Sequence, residues 1–162
     1  MDRLFQIAND AGRMSQDQAH ALSAWTKTEL SHLAATRAIA RSGGWETDLA
    51  TLEVSWSVEL HALFGTDPAT FQPTHDAFLQ FVHPEDRAMV DDAFKTAIAH
   101  TSPAVIQHRL QLPDGRVSFV EERWRTFTND LGQPVRAVGT CRDITEIKRV
   151  DEERNLLFSL SL

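Results

Sequence analysis

Ala104-Val105-Ile106-Gln107-His108-Arg109-Leu110-Gln111-Leu112 is the cleanest strand pattern in the chain. The even residues Ala104, Ile106, His108, Leu110 and Leu112 make one face, and Gln107, Arg109 and Gln111 the other, which is the period-two pattern of a strand with one wet side. Pro113-Asp114-Gly115-Arg116 follows, and its Asp-Gly pair is a strong hairpin signal. Arg116 to Thr128 then reads as the long return strand. A turn around Asn129-Asp130-Leu131-Gly132 leads into a final strand from Pro134 to about Asp143.

Before this stretch the pattern is different. Trp45-Glu46-Thr47-Asp48 and Glu53-Val54-Ser55-Trp56 read as a short hairpin around Leu49-Ala50-Thr51, with aromatic residues suited to half-buried strands. Ser57 to Gly65 reads as a short helix stopped by Gly65, and Thr74 to Phe81 as another. At His83-Pro84-Glu85-Asp86 the proline suits a first helical position and the carboxylates suit the positive helix end, so a helix is expected from Pro84 to about His100. Its expected inner face is Met89, Val90, Ala93, Phe94 and Ala97. Two strands, helices, then three strands make an α+β fold: a five-stranded antiparallel sheet with helices on one face.

Helical extensions flank this domain. Ser15-Gln16-Asp17-Gln18 fits a capping box, Leu22, Trp25, Leu30, Leu33, Ala34 and Ile39 recur at helical spacing, and Gly43-Gly44 is the expected stop. That one-sided face must meet either the sheet or the same helix of a second copy. Leu22, Trp25, Leu30, Leu33 and Ile39 are therefore candidate dimer contacts. The expected organisation is an N-terminal helical extension over residues 1–42, a domain over 43–145, and a C-terminal helix over 146–162.

The chain has 162 residues, 42% of them apolar, enough for one ordinary core. Its net charge of −7 and lack of a basic stripe argue against nucleic acid or an anionic membrane surface as partner. The single cysteine excludes an internal disulfide and points to a reducing, cytoplasmic setting. No apolar run approaches the roughly 20 residues of a membrane span, so no direct membrane insertion is expected.

Four strings recur in a telling order: Gly43-Gly44-Trp45-Glu46-Thr47-Asp48, Val82-His83-Pro84-Glu85-Asp86-Arg87, Pro113-Asp114-Gly115-Arg116, and Gly139-Thr140-Cys141-Arg142-Asp143-Ile144-Thr145. In that order and spacing, residues 43–145 resemble a PAS sensor domain of the kind found in bacterial signalling proteins such as sensor histidine kinases and diguanylate cyclases. The resemblance implies a ligand site between the sheet's inner face and the helices. It turns Ala137, Gly139 and Cys141 inward on the last strand and Val120, Glu122 and Trp124 inward on its neighbour. The small residues leave space that either a ligand or the long side chains opposite must fill. The candidate pocket residues are Phe78, Met89, Ala93, Phe94, Ile106, His108, Leu110, Val120, Glu122, Trp124, Ala137, Gly139 and Cys141. With a three-residue loop at Asp114-Gly115-Arg116, His108 stands opposite Glu122 in a charge-assisted contact able to grip a polar ligand. With a two-residue loop the neighbour becomes Glu121.

Other chemistry finds less support. The reactive Asn-Cys-Arg-Phe-type string of flavin-binding members is missing, and Cys141 falls on a strand. Haem-binding members place a histidine within the long helix, where this chain has Met89, Val90, Ala93 and Phe94. A small organic ligand remains open. His75, His83, Glu85 and Asp86 lack tight metal-ligand spacing, and His32 lacks the neighbouring acid of a phospho-acceptor string. No nucleophile or phosphate-loop motif appears, so no catalytic residue is assigned.

Asp143-Ile144-Thr145 resembles the string that ends many PAS domains and starts an outgoing helix. Glu146 to Arg154 is densely charged, with Ile147, Val150, Leu156, Leu157 and Leu160 as a partial coiled-coil seam interrupted by Arg154. The expectation is a homodimeric sensory module passing a signal to an output domain further along the polypeptide, a histidine kinase or cyclic-dinucleotide enzyme. The alternatives are a ligand-free dimerisation scaffold and a small α+β enzyme using Glu122 as base.

Overall fold

The structure, a computed structural model, describes His20, Ala21, Ala24, residues 26–29, His32 and residues 41–161. The chain divides into two compact units, Met1–Thr36 and Arg37–Leu162. The described residues of the first unit are all helical, and the Thr28 hydroxyl donates to the Ala24 carbonyl at 2.9 Å. Ser15 and the candidate dimer contacts Leu22, Trp25, Leu30, Leu33 and Ile39 lie outside the described residues.

The second unit opens with β1 (Ser42–Asp48) and β2 (Val54–Trp56), joined by a turn in which the Asp48 carboxylate accepts from the backbone of Ala50 and Thr51. Three helices follow, α1 (Val58–Phe64), α2 (His75–Phe81) and α3 (Arg87–His100). The chain then makes β3 (Ala104–Gln111), β4 (Val117–Thr128), β5 (Pro134–Asp143) and the outgoing helix α4 (Thr145–Leu160). The sheet order is β2-β1-β5-β4-β3, antiparallel throughout. The first hairpin therefore ends beside the last strand, and the intervening helices lie over the sheet's inner face.

Local chemistry explains the helix limits. Ser57 caps α1 by accepting from Leu60 N–H and also holds Gly44 N–H of β1, while Gly65 ends the helix in the left-handed conformation. Thr74 caps α2 in the same way through Ala77 N–H. The core joins Leu60 and Phe64 of α1, Val90 of α3, Leu110 of β3, Val120 of β4 and Cys141 of β5. Each fully buried aliphatic or aromatic side chain there contributes roughly 2 kcal/mol.

Four expectations are corrected. Gly43 and Gly44 do not stop a helix but belong to β1, because β1 runs so close under α1 that a Cβ on Gly43 would come within 2.5 Å of the Leu60 backbone. The long helix starts at Arg87, not Pro84: residues 84–86 form a turn, and the Asp86 carboxylate turns away from the helix end. Its buried stripe runs through Val90 and Ala97 with Ala93 and Phe94 half-buried, while Met89, one position and about 100° round from Val90, is 44% exposed. The β3–β4 loop has three residues, but they are Pro113-Asp114-Gly115. Gly115, at φ 86°, takes the left-handed last position, so Leu112 already pairs with Arg116. The register shifts by two, and His108 faces Val120 while Glu122 faces Ile106.

The His83-Pro84-Glu85-Asp86 string covers the open edge of β3. His83 N–H donates to the Arg109 carbonyl at 2.9 Å, and Asp86 accepts from the Arg109 backbone N–H at 2.8 Å and from its guanidinium at 3.0 and 2.7 Å. The edge-facing N–H and C=O of Arg109 are thereby engaged, which shortens the edge left to template another strand. The Arg109 guanidinium holds the Asp86 carboxyl down at a pKa of about 2.

Candidate functional site

Between α1, α2, α3 and the inner face of the sheet lies a cavity with about 50 Å³ open to the centre of a water-sized sphere, room for a small molecule or a few waters. Trp45, Thr47, Val54 and Trp56 reach it from the first hairpin, Leu60 and Phe64 from α1, and His75 and Phe78 from α2 with Thr74 just before it. Val90 and Phe94 reach it from α3, and Ile106, Glu122 and Trp124 from β3 and β4. Parity puts the strand residues there, since side chains two apart share a face. Trp45, Phe94 and Trp124 form a triangle with ring centroids 6.0, 6.2 and 6.2 Å apart. Trp45 owes its position to Gly139, its partner across β5: a Cβ there would stand 2.6 Å from the indole. The space left by the small residues of β5 is thus partly taken up by an aromatic from the neighbouring strand.

The wall is apolar with one pronounced exception. Glu122 is 4% exposed, and its Oε2 accepts from Trp45 Nε1–H at 2.9 Å. Its Oε1 stands 3.8 Å from His108 Nε2, beyond hydrogen-bonding distance. The two residues are diagonal neighbours across the strands and not directly opposite, so they come within ion-pairing reach without the hydrogen bond that a directly opposed pair would make. His108 Nδ1 is 3.2 Å from the Arg109 carbonyl, its ring meets Phe78 edge-on, and its buried Nε2 has no hydrogen-bond partner among the described residues. Trp124 Nε1 is likewise buried without a partner. Cys141 lies in register with Glu122 and is fully buried; burial first, then the neighbouring carboxylate, push its thiol well up, so it is held as an inert SH.

At the partly exposed rim, His75 Nε2 pairs with Asp91 at 2.9 Å and its ring stacks on Phe94 at 4.7 Å. Lys95 joins the same carboxylate at 2.6 Å, and these two partners, Lys95 first, lower the Asp91 pKa. This ties α2 to α3 across the cavity's rim.

Of the thirteen candidate pocket residues, Phe78, Phe94, Ile106, Glu122 and Trp124 line this cavity. His108, Leu110, Val120, Ala137, Gly139 and Cys141 are buried beneath it, Ala93 is half-buried, and Met89 faces solvent. Sequence reasoning missed Trp45, Thr47, Val54, Trp56, Leu60, Phe64, Thr74, His75 and Val90 as wall. Two tryptophans in one short hairpin were the signal for part of that wall. His83, Glu85 and Asp86 are taken up by the turn and by Arg109, and no group of three potential metal ligands exists among the described residues.

The three residues at the exit form one knot. Asp143 N–H donates to the Arg41 carbonyl, Ile144 N–H to the Phe119 carbonyl, and Thr145 N–H to the Asp143 carboxylate. The Thr145 hydroxyl accepts from Phe119 N–H at 3.0 Å, standing in for the next backbone acceptor of the β4–β5 ladder. Ile144, 6% exposed, anchors the joint. Beyond it α4 has no buried residue.

A five-stranded antiparallel sheet with this strand order, helices on its inner face and a helix leaving from the last strand defines a PAS fold. The family profile described as PAS fold matches residues 53–141, more than half of the chain, and the chain belongs to that family. It is 26% identical over 110 residues to the probable diguanylate cyclase DgcE of Escherichia coli strain K12, covering 68% of this chain and 10% of that protein. It is 28% identical over 120 residues to a blue-light-activated histidine kinase of Brucella anthropi, covering 74% of this chain and 23% of that one. The chain thus spans less than a quarter of either curated relative. Among solved structures, a sensory box histidine kinase/response regulator from Burkholderia thailandensis E264 superposes with a TM-score of 0.64 at 22% identity, over 78% of this chain and 95% of that one, a likeness of fold. Among the described residues, no helix is long and apolar enough to cross a membrane.

Proposed function

We propose that this chain is a sensory module that binds a small organic ligand in its cavity and passes the change through α4 to an output domain of the histidine kinase or cyclic-dinucleotide class on the same polypeptide. One observation carries the reading: the exit knot shares a strand with the one carboxylate among the described residues that line the cavity. Glu122 lies three residues from Phe119, whose N–H and C=O hold Thr145 and Ile144, a span of roughly 10 Å. A ligand that moves Glu122 or Trp45 pulls on the strands that set the direction of α4. The relatives support an output enzyme by the names they carry, and the single cysteine supports a cytoplasmic setting.

Native mass spectrometry of the purified chain, together with output assays of the parent protein, tests the reading. A retained small molecule is expected, and Thr145→Val should blunt the ligand's effect on output while changing its affinity by less than about twofold, because the hydroxyl touches β4 and not the cavity. An empty cavity together with an output indifferent to Thr145→Val would remove the reading.

A second reading, a dimerisation scaffold without ligand, has its own support. Leu156, Leu157, Phe158 and Leu160 of α4 are all more than half exposed, an apolar surface suited to the same helix of a second copy. In that case the mass spectrum shows a dimer with nothing bound.

A further inference from the structure

Resting on the ligand-binding reading, the geometry points to the chemical class of the occupant: a small organic amine bound as its ammonium ion, its N–H groups donating to Glu122 Oε1 and its carbon body lying on the Trp45, Phe94 and Trp124 faces. His108 Nδ1 lies 3.2 Å from the Arg109 carbonyl, which can only accept, so Nδ1 carries a hydrogen and is turned away from Glu122. Nε2 stands 3.8 Å from Glu122 Oε1, too far for a hydrogen bond. Among the described residues Oε1 thus has no N–H or O–H donor, and a donor brought into the cavity is what supplies one. Trp45 satisfies Oε2 alone.

The surroundings select charge. Among the described residues no lysine or arginine lines the cavity, and the one histidine that does, His75, is engaged by Asp91. An anion would meet the Glu122 carboxylate with no compensating cation. A metal ion would need several oxygen or nitrogen ligands, and the described residues bring no three together. A purely apolar occupant would leave Oε1 dry and unpaired. An ammonium ion instead meets a carboxylate and three aromatic faces whose negative quadrupoles attract it. The rings touch one another at about 6 Å, so the cation lies over the surface that they present to the cavity and not between them. The cavity's size limits the carbon body to a few atoms.

The test uses the whole chain and three probes of one shape: isobutylammonium, isobutanol and isobutyrate. Binding is followed by the indole N–H NMR signals of the four tryptophans; Trp45, Trp56 and Trp124 line the cavity, and Trp45 and Trp124 belong to the aromatic face that the cation meets. Isobutylammonium should shift those two signals and bind about tenfold tighter than isobutanol, and isobutyrate should leave them unmoved. In Glu122→Gln the amide oxygen can still accept from Trp45, so the fold is kept while the preference for the amine over the alcohol disappears. Should that variant fail to fold, the charge series on the unaltered chain decides. Equal or tighter binding by isobutanol or isobutyrate overturns the amine assignment and leaves the ligand-binding reading intact. Silence from all three probes overturns it as well, and the ligand-binding reading is then decided by mass spectrometry of the purified chain.

Discussion

Glu122 and the last two turns of α4 depart from the ordinary partition of polar and apolar groups in opposite directions. Glu122 is a carboxylate held away from water beneath aromatic rings, whereas Leu157 and Leu160 are apolar side chains left 67% and 76% exposed. A domain stabilised only for itself would reverse both. The carboxylate costs desolvation that the single Trp45 bond only partly offsets, and the leucines forgo burial worth roughly 2 kcal/mol each. The two departures lie on one connected stretch of structure, Glu122 on β4 and the leucines on α4, whose first residues are hydrogen-bonded to Phe119 of β4. Each is the kind of site that a second component completes.

The largest effect is expected on the cavity side. Trp45→Ala removes an aromatic that fills the space over Gly139 and takes away the one N–H or O–H donor that Glu122 has among the described residues, so chemical denaturation should show a loss of about 3 kcal/mol. A loss below about 1 kcal/mol would mean that the cavity wall is not part of the core.

The edge clamp comes next. The folded pKa of Asp86, about 2, lies below the ordinary 3.8, so the folded chain binds that proton less tightly than the unfolded one. Its stabilisation is complete above about pH 4 and is lost as pH falls towards 2. Asp86→Asn should cost about 1 to 2 kcal/mol at neutral pH and flatten the stability curve between pH 4 and 2, as read by urea denaturation. A curve as steep as that of the parent would place the acid limb elsewhere.

The smallest effect on stability belongs to α4. Leu157→Lys with Leu160→Lys should change the unfolding free energy by less than about 0.5 kcal/mol, since neither side chain touches the domain. Sedimentation should nevertheless show the dimer lost, if these leucines meet a second copy. An unchanged association state would move the dimer contact away from α4.

Much of the fold was legible because parity is a local property. Ile106, His108 and Leu110, and likewise Val120, Glu122 and Trp124, share the inner face whatever the loop does, provided the register moves by an even number. It moved by two, so every face assignment survived although the partner of His108 changed. Gly115 could have corrected the register, since its left-handed φ suits the last loop position. Met89 was misplaced because one position from Val90 is about 100° round the helix, and the face that the sheet covers is narrower than the apolar stripe of the sequence. The cavity was legible only in part. Periodicity shows which side of an element is covered, but not which covered residues touch a gap, and the contribution of the first hairpin and α1 went unread.

Local patterns alone, then, determined the order of strands and helices along the chain and the wet and dry faces of β3, because alternation, caps and turns act over a few residues. The inward faces of β4 and β5 and the Asp143-Ile144-Thr145 joint came from the resemblance to PAS domains. Tertiary packing decided that Glu122 takes its hydrogen bond from Trp45, 77 residues away in sequence, and stands 3.8 Å from His108 without bonding it. Contacts of that kind depend on how β1 is inserted beside β5 and on the final ångström of register between strands, which no short-range period encodes.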